Sequence, residues 1–356
     1  MCPAVPITTG IGRGVGAAGS AIPRMGAMLT GQAGAETWTP TREQPVFMLS
    51  RFLRARYGRP LRRVMLDLGR TCPNRDGKFG FGGCIYCDVA GSGTGAAPRQ
   101  PLAAQWQEGV ARVRRLHPEG PAAIAYVQSY SNTYPDLLPL RDALDFLAGF
   151  RDAAPIVSVG TRPDCFSEDA ADLLACQRER FDAVWVEFGL ETADDRVQEV
   201  IQRYDTLENF FTACRRAKER GLGVVCHTIA GLPGEREDGL RKQVDAAAEA
   251  QVDGIKFHQL MVLRRTKLEV MWKRGELSLL SPEQYVTRVA DALELLPAHV
   301  VVHRLVAEAP PAEYLAPAGW PRKNAVHAAI EAELRRRSSL QGRHAPGEHV
   351  SGGRGA

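Results

Sequence analysis

A chain of 356 residues, 44% apolar and 24% charged, can bury one large core or two medium ones, as an ordinary globular enzyme does. It holds no run of eighteen apolar residues, which excludes a membrane-spanning helix, and its 45 basic against 41 acidic side chains are too evenly balanced to argue for a nucleic-acid partner by charge alone. Eight cysteines, three of them clustered, are not the pattern of a secreted disulfide framework, so the chain reads as cytoplasmic.

In chain order, residues 1–44 are rich in Gly, Ala, Pro and Thr and carry no acidic side chain before Glu36, so they are expected to be disordered, with Met25 or Met28 as alternative starts. The run RFLRARYGRPLRR (51–63) is either a solvated basic face or a contact for RNA or an acidic substrate. Six strands are then predicted, at 63–69, 122–128, 155–160, 183–190, 222–231 and 254–263, with amphipathic helices between them. Asp205 with Glu208 reads as the capping box of one helix, closed by Gly221, and Ser281, Pro282 and Gln284 open another. Alternation of this kind gives a parallel sheet buried on both faces, and six units fall short of a closed barrel. The fold class expected is therefore α/β, an open (β/α)6 partial TIM barrel, with ligands at the carboxyl ends of the strands.

The loop after the first strand, TCPNRDGKFGFGGCIYCDV, holds Cys72, Cys84 and Cys87, with eleven residues between the first two and two between the last. Three thiolates with four nearby glycines can wrap a metal centre. Structural zinc wants a fourth ligand, and the nearest downstream histidine, His117, falls in an unrelated helix. Catalytic zinc uses three ligands, though seldom all cysteine; an iron-sulfur electron carrier generally uses four. A four-iron cluster with one iron open answers the count better. Asn74, Arg75, Asp76 and Lys78 in the long loop either shape access to the centre or cap it.

Several stretches together, RYGRP, CPNRDG, GGCIYC with its aromatic Tyr86, GTRPDC, VWVEFGLET, GLPGE, GIKFHQL and VVHRL, resemble the radical S-adenosylmethionine (SAM) superfamily. The wide spacing is similar to that of a bacterial subgroup related to the catalytic subunit of Elongator and, further off, to oxygen-independent coproporphyrinogen oxidase. The resemblance, which runs from about Arg51 to about Glu308, implies a partial barrel of radical SAM type over 45–308, followed by a C-terminal helical segment at 309–336; the tail at 337–356 has a composition unable to build a core and is expected to be disordered. The resemblance also implies a [4Fe-4S] cluster on the three cysteines, SAM on the open iron, and a one-electron donor such as flavodoxin or ferredoxin.

Carried over residue by residue, the resemblance implies that Tyr86 lies beside the cluster, and that Gln128 or Ser129 contacts the methionine end of SAM, in a polar turn where relatives have glycines. Where relatives place a ribose-binding glutamate, Gly160 stands instead, so Glu187 or Glu191 takes the ribose hydroxyls, unless Glu187 pairs with Arg162. Arg203 is expected at the SAM carboxylate, and His227 near the cofactor or as a structural histidine. Lys256, His258, His303 and Arg304 are candidates for the substrate end, and Cys165 is either a substrate-side thiol or an inert one. The Gly91–Gly95 stretch reads as cover over the cluster. The resemblance to Elongator and the basic segment together suggest an RNA substrate; a small metabolite or peptide is the alternative, and a non-enzymatic zinc-binding module the alternative from another class.

Overall fold

The computed structural model describes residues 39–88, 100–117 and 123–346. Its elements are α1 (Leu49–Tyr57), β1 (Arg62–Leu66), α2 (Leu102–Leu116), β2 (Ala123–Val127), α3 (Leu138–Ala148), β3 (Ile156–Thr161), α4 (Glu168–Cys176), β4 (Ala183–Glu191), α5 (Asp195–Val200), α6 (Leu207–Glu219), β5 (Gly223–Ala230), α7 (Gly239–Glu249), β6 (Gly254–Gln259), β7 (Val262–Leu263), α8 (Lys267–Lys273), α9 (Pro282–Leu295), β8 (Val301–Arg304), β9 (Tyr314–Ala316) and α10 (Lys323–Arg336). Seven strands pair in the order β1-β2-β3-β4-β5-β6-β8, every pair parallel, while β7 and β9 make a small antiparallel pair. The α/β partial barrel is thus present with one strand more than the six expected. The seventh, β8, is only four residues long and sits in the apolar run VVVHRL. No helix among the described residues is long and apolar enough to cross a membrane.

Strands buried on both faces need apolar residues at successive positions, and β2, buried at all five, shows this most fully. Residues facing outward pack under the helices, whereas those of the other parity line the barrel interior. At the amino end the interior is filled by α1 and by Phe47, two residues before it: Phe47, Leu49 and Leu53 pack on Ile124, Ile156, Trp185, Val225 and Val301. Burial of each large apolar side chain there contributes about 1.5–3 kcal/mol. The basic run that begins at Arg51 therefore starts on a helix that plugs the floor, at the opposite end from the cysteines, while Arg63 turns into the barrel.

Helix ends follow local chemistry, with one difference from expectation. Ser281 and Gln284 form the reciprocal capping box of α9. In α6, however, Thr206 and not Asp205 is the cap, its side chain accepting from Asn209 N; Asp205 instead accepts from Thr206 N at 2.9 Å and faces two arginines of the site. A second difference lies in the tail. Gln341 is fully buried; its amide oxygen accepts from Phe47 N at 2.9 Å and its nitrogen donates to Pro297 O and Val300 O at 2.9 and 2.8 Å. Ordered structure therefore runs past 337 to the last described residue, 346. The expectations for residues 1–38, for Gly91–Gly95 and for the tail beyond 346 lie outside the described residues.

Candidate active site

Cys72, Cys84 and Cys87 line the mouth of a cavity of about 340 Å³ at the carboxyl ends of the strands. Their loop is held at several points. Asn74, buried at 2% exposure, donates through Nδ2 to Gln202 O at 2.9 Å and Arg203 O at 2.7 Å. Ile85 sits in an apolar cluster with Val197, Ile201, Ile229, Leu260 and Leu268, and its backbone N–H donates to Ile201 O at 3.0 Å. At Gly83 (φ +81°) an added Cβ would lie 3.0 Å from the Arg75 side chain, so glycine allows the close turn that sets Cys84.

Two of the long-loop residues act on sulfur directly. Asn74 Nδ2 lies 3.4 Å from Cys84 Sγ, and Arg75 Nη2 lies 3.4 Å from Cys87 Sγ while also donating to Asp88 O. Burial pushes the Cys72 thiol up and, with Cys84 next, Cys87 up to about 12. A bound metal reverses that cost, because thiolate ligation is favoured by the ion's own charge, and hydrogen bonds to sulfur favour the charged form further. Among the described residues no trio of His, Cys, Asp and Glu is arranged to hold a single metal ion. The donor set, three thiols with N–H donors aimed at two of them and no carboxylate or imidazole among the ligands, fits an iron-sulfur cluster held by sulfur alone.

Around the cysteines stand buried polar atoms without a partner among the described residues. They include Tyr86 Oη, Ser129 Oγ, Arg162 Nη1 and Arg203 Nε, all from residues lining the cavity. Ser129 (φ +87°), Tyr130 (φ +57°) and Glu191 (φ +64°) hold left-handed backbone in the loops after β2 and at the end of β4. Strain of that kind persists where the surroundings over-determine it, commonly at ligand clamps. Arg203 donates to Gly189 O at 2.6 Å and lies 3.9 Å from Glu191 and 3.7 Å from Asp205, and Arg162 forks onto Asp164 at 2.8 and 2.7 Å. Burial raises the Glu191 carboxyl against the pull of Arg203.

One layer deeper, the interior carries a charged knot that the sequence reading did not assemble. Glu187, at 1% exposure, accepts from Ser158 Oγ on Oε1 at 2.7 Å, and on Oε2 from Tyr126 Oη at 2.8 Å, His227 Nε2 at 2.6 Å and the Lys256 ammonium. Lys256 also donates to Tyr126 Oη at 3.0 Å. Burial alone would raise the Glu187 carboxyl, but Lys256 and the His227 N–H outweigh it and hold it well below the usual carboxylate range. Burial, then the charge of Lys256, lowers His227 to about 4, so its imidazole is neutral near neutral pH. Glu187 does not pair with Arg162, and four donors occupy its two oxygens.

Of the remaining expected residues, Gln128 and Gly160 line the same cavity, as do His258 and Arg304, whereas Cys165 lies outside its lining. Cys165 sits in a short 3-10 turn, its carbonyl accepting from Thr133 Oγ1 at 2.6 Å. His303 packs on Trp185, ring centroids 5.1 Å apart, where only the glycine at 254 leaves room: a Cβ there would lie 2.7 Å from His303 Nε2. The donors to sulfur, Asn74 and Arg75, are the functional neighbours whose roles the sequence reading left open; their place inside the long cysteine loop was the available signal.

Comparison with known proteins gives two matches along the chain. Residues 68–247 match the Radical SAM superfamily and residues 252–336 the Radical SAM C-terminal domain. The protein YtqA of Bacillus subtilis is 35% identical over 302 residues, covering 85% of this chain and 93% of that one. A tRNA uridine(34) acetyltransferase of Methanocaldococcus jannaschii is 28% identical over 156 residues, covering 43% of this chain and 28% of that one. Among solved structures, Methanocaldococcus infernus Elp3 lacking residues 1–46 superposes with a TM-score of 0.58 at 18% identity, covering 79% of this chain and 64% of that one, which is a likeness of fold.

Proposed function

The chain belongs to the radical SAM superfamily of enzymes, and we propose that it holds a [4Fe-4S] cluster on Cys72, Cys84 and Cys87, binds SAM beside it, and acts on an RNA substrate. When bound, cluster and SAM supply a 5′-deoxyadenosyl radical by one-electron reductive cleavage, the electron coming from an external donor such as flavodoxin or ferredoxin. The observation that carries this reading is the conjunction at one cavity mouth: three thiols, N–H donors on two of the sulfurs, and buried polar atoms with no protein partner.

Each residue then has a physical task. Asn74 and Arg75 stabilise thiolate at Cys84 and Cys87. Arg203, already desolvated, offers a charge-assisted donor to the SAM carboxylate, and Ser129 with Gln128 offers polar contacts to the methionine end. Glu191 is the better acceptor for ribose hydroxyls, since the oxygens of Glu187 are already engaged by four donors. Glu187 and Lys256 therefore position His227 at the cavity floor. Tyr86 packs beside the cluster end. The apolar floor under this layer excludes water from the interior.

The RNA assignment is supported by likeness to a tRNA uridine(34) acetyltransferase over the matched stretch. Two measurements test the reading. Anaerobically reconstituted protein, reduced with dithionite in the presence of SAM, is expected to release 5′-deoxyadenosine; an unchanged yield after Cys72, Cys84 and Cys87 are all replaced by alanine overturns the cofactor assignment. Mass spectrometry of tRNA nucleosides from cells with and without the protein is expected to show one altered nucleoside; identical profiles overturn the RNA assignment and favour a small metabolite.

A further inference from the structure

The cavity has a second polar end, at the gap between the sheet's two edge strands, β1 and β8. Arg63 reaches from β1 and donates to His303 Nδ1 of β8 at 3.4 Å, its guanidinium 5.7 Å from the centre of the Tyr126 ring. Arg304, the last residue of β8, lines the cavity and donates through Nη1 to His258 Nε2 at 3.3 Å. Its Nε and Nη2 donate to no protein atom among the described residues, and it belongs to no ion pair there. Burial, then the charge of Arg304, lowers Lys323, the first residue of α10, from its ordinary range; no side chain caps that helix and its first turn holds no acidic residue.

The carboxylates near Arg304 are Glu187, committed to Lys256, and Glu308, exposed at the rim of the same cavity. Burial, followed by the charge of Arg304, pushes His258 well below its ordinary range, so it accepts from Arg304 without adding charge. Arg304 lines the cavity with two donor nitrogens unused by the described residues, and an oxyanion entering there can take both in a charge-assisted contact. Its fork matches carboxylate or phosphate in a two-point contact. A carboxylate calls for one cation, whereas a phosphate monoester carries about −1.5 to −2 and suits Arg304 with a second guanidinium, Arg63, hydrogen-bonded to the adjacent His303.

We propose that this end of the cavity is a phosphate subsite for the substrate, gripped by Nε and Nη2 of Arg304 with Arg63 supplying flanking charge. The proposal rests on the radical SAM reading only in leaving the cysteine end to the cofactor. A small phosphomonoester meets both the fork and the flanking charge, and the phosphodiester backbone of an RNA strand, with one charge per phosphate, shares the paired oxygens that the fork takes.

The test uses full-length, cluster-loaded protein as wild type, R304Q, R304K and the surface control R336Q, with two probes: ribose 5-phosphate by calorimetry and an unfractionated tRNA preparation by filter binding. The wild type is expected to bind at least one probe, R304Q to bind it about tenfold or more weakly, R304K to fall between because an ammonium keeps the charge and loses the fork, and R336Q to match wild type. A loss confined to ribose 5-phosphate identifies a small phosphomonoester, and a loss confined to tRNA identifies a phosphodiester strand. Equal binding by R304Q, or no binding of either probe to wild type, overturns the subsite. Circular dichroism melts check folding; where R304Q melts early, R304K decides. SAM retention in equilibrium dialysis is expected to be the same in R304Q and wild type. Absent 5′-deoxyadenosine release together with Arg304-dependent phosphate binding would sink the cofactor reading and leave the subsite standing.

Discussion

Two polar regions share the inside of the barrel and differ in how far they satisfy themselves. Around Glu187, four donors occupy two oxygens and the side chain is sealed from water. Around the cysteines, Tyr86 Oη, Ser129 Oγ, Arg162 Nη1 and Arg203 Nε are buried with no partner among the described residues. Buried polar groups are ordinarily hydrogen-bonded, so the exceptions mark where something else completes the set. The first region is a scaffold that the chain finishes alone; the second, on the proposed reading, is left for cluster and SAM to finish.

That contrast can be broken at either end. The largest effect expected is from C84A: iron and sulfide in the anaerobically reconstituted protein fall to background and no 5′-deoxyadenosine is released, while the thermal melt of the metal-free protein barely moves. Next comes K256M, which leaves the Glu187 carboxylate buried without its cation and is expected to lower unfolding stability by about 3–5 kcal/mol in urea titration. A small loss in K256M would mean that the knot is not structural.

The third concerns pH. Unfolded His227 takes a proton near 6.5, whereas the folded one does so only near 4. The unfolded state therefore binds more protons between those values, and the contribution of His227 to stability is full above 6.5 and lost as pH falls toward 4. H227Q is expected to flatten that acid limb by about 3 kcal/mol, read from denaturation midpoints across the range. The smallest effect is from S129A. Because Ser129 Oγ has no protein partner, its removal is expected to change stability by less than about 0.5 kcal/mol and to weaken SAM retention in equilibrium dialysis. A destabilised S129A with unchanged SAM retention would erase the distinction between the two regions.

The cysteine loop was legible because ligand type and count are properties of one contiguous stretch. The parallel sheet was legible because fully buried strands must be apolar throughout. The Glu187 knot was not: Tyr126 and Lys256 lie 61 and 69 residues away from it, and which strand residues meet inside a barrel depends on inter-strand stagger, which no local pattern encodes. β8 escaped notice because four residues leave too little alternation to separate a strand from any other apolar run. Thr206 outcompeted Asp205 as a cap by one position, a shift that tertiary context decides: Asp205 is drawn toward Arg162 and Arg203. Gln341 was hidden in a polar, glycine-bearing tail because its three hydrogen bonds go to groups that become neighbours only once the barrel floor is built.

That floor bears on the order of events during synthesis. The cysteine loop leaves the ribosome more than two hundred residues before Gln341, whose amide ties Phe47, Pro297 and Val300 together beneath the barrel. A nascent chain can thus display all three thiols while the opposite end is still unlatched and wet. On the proposed reading, the loop that would hold the cluster is made long before the floor beneath it can close.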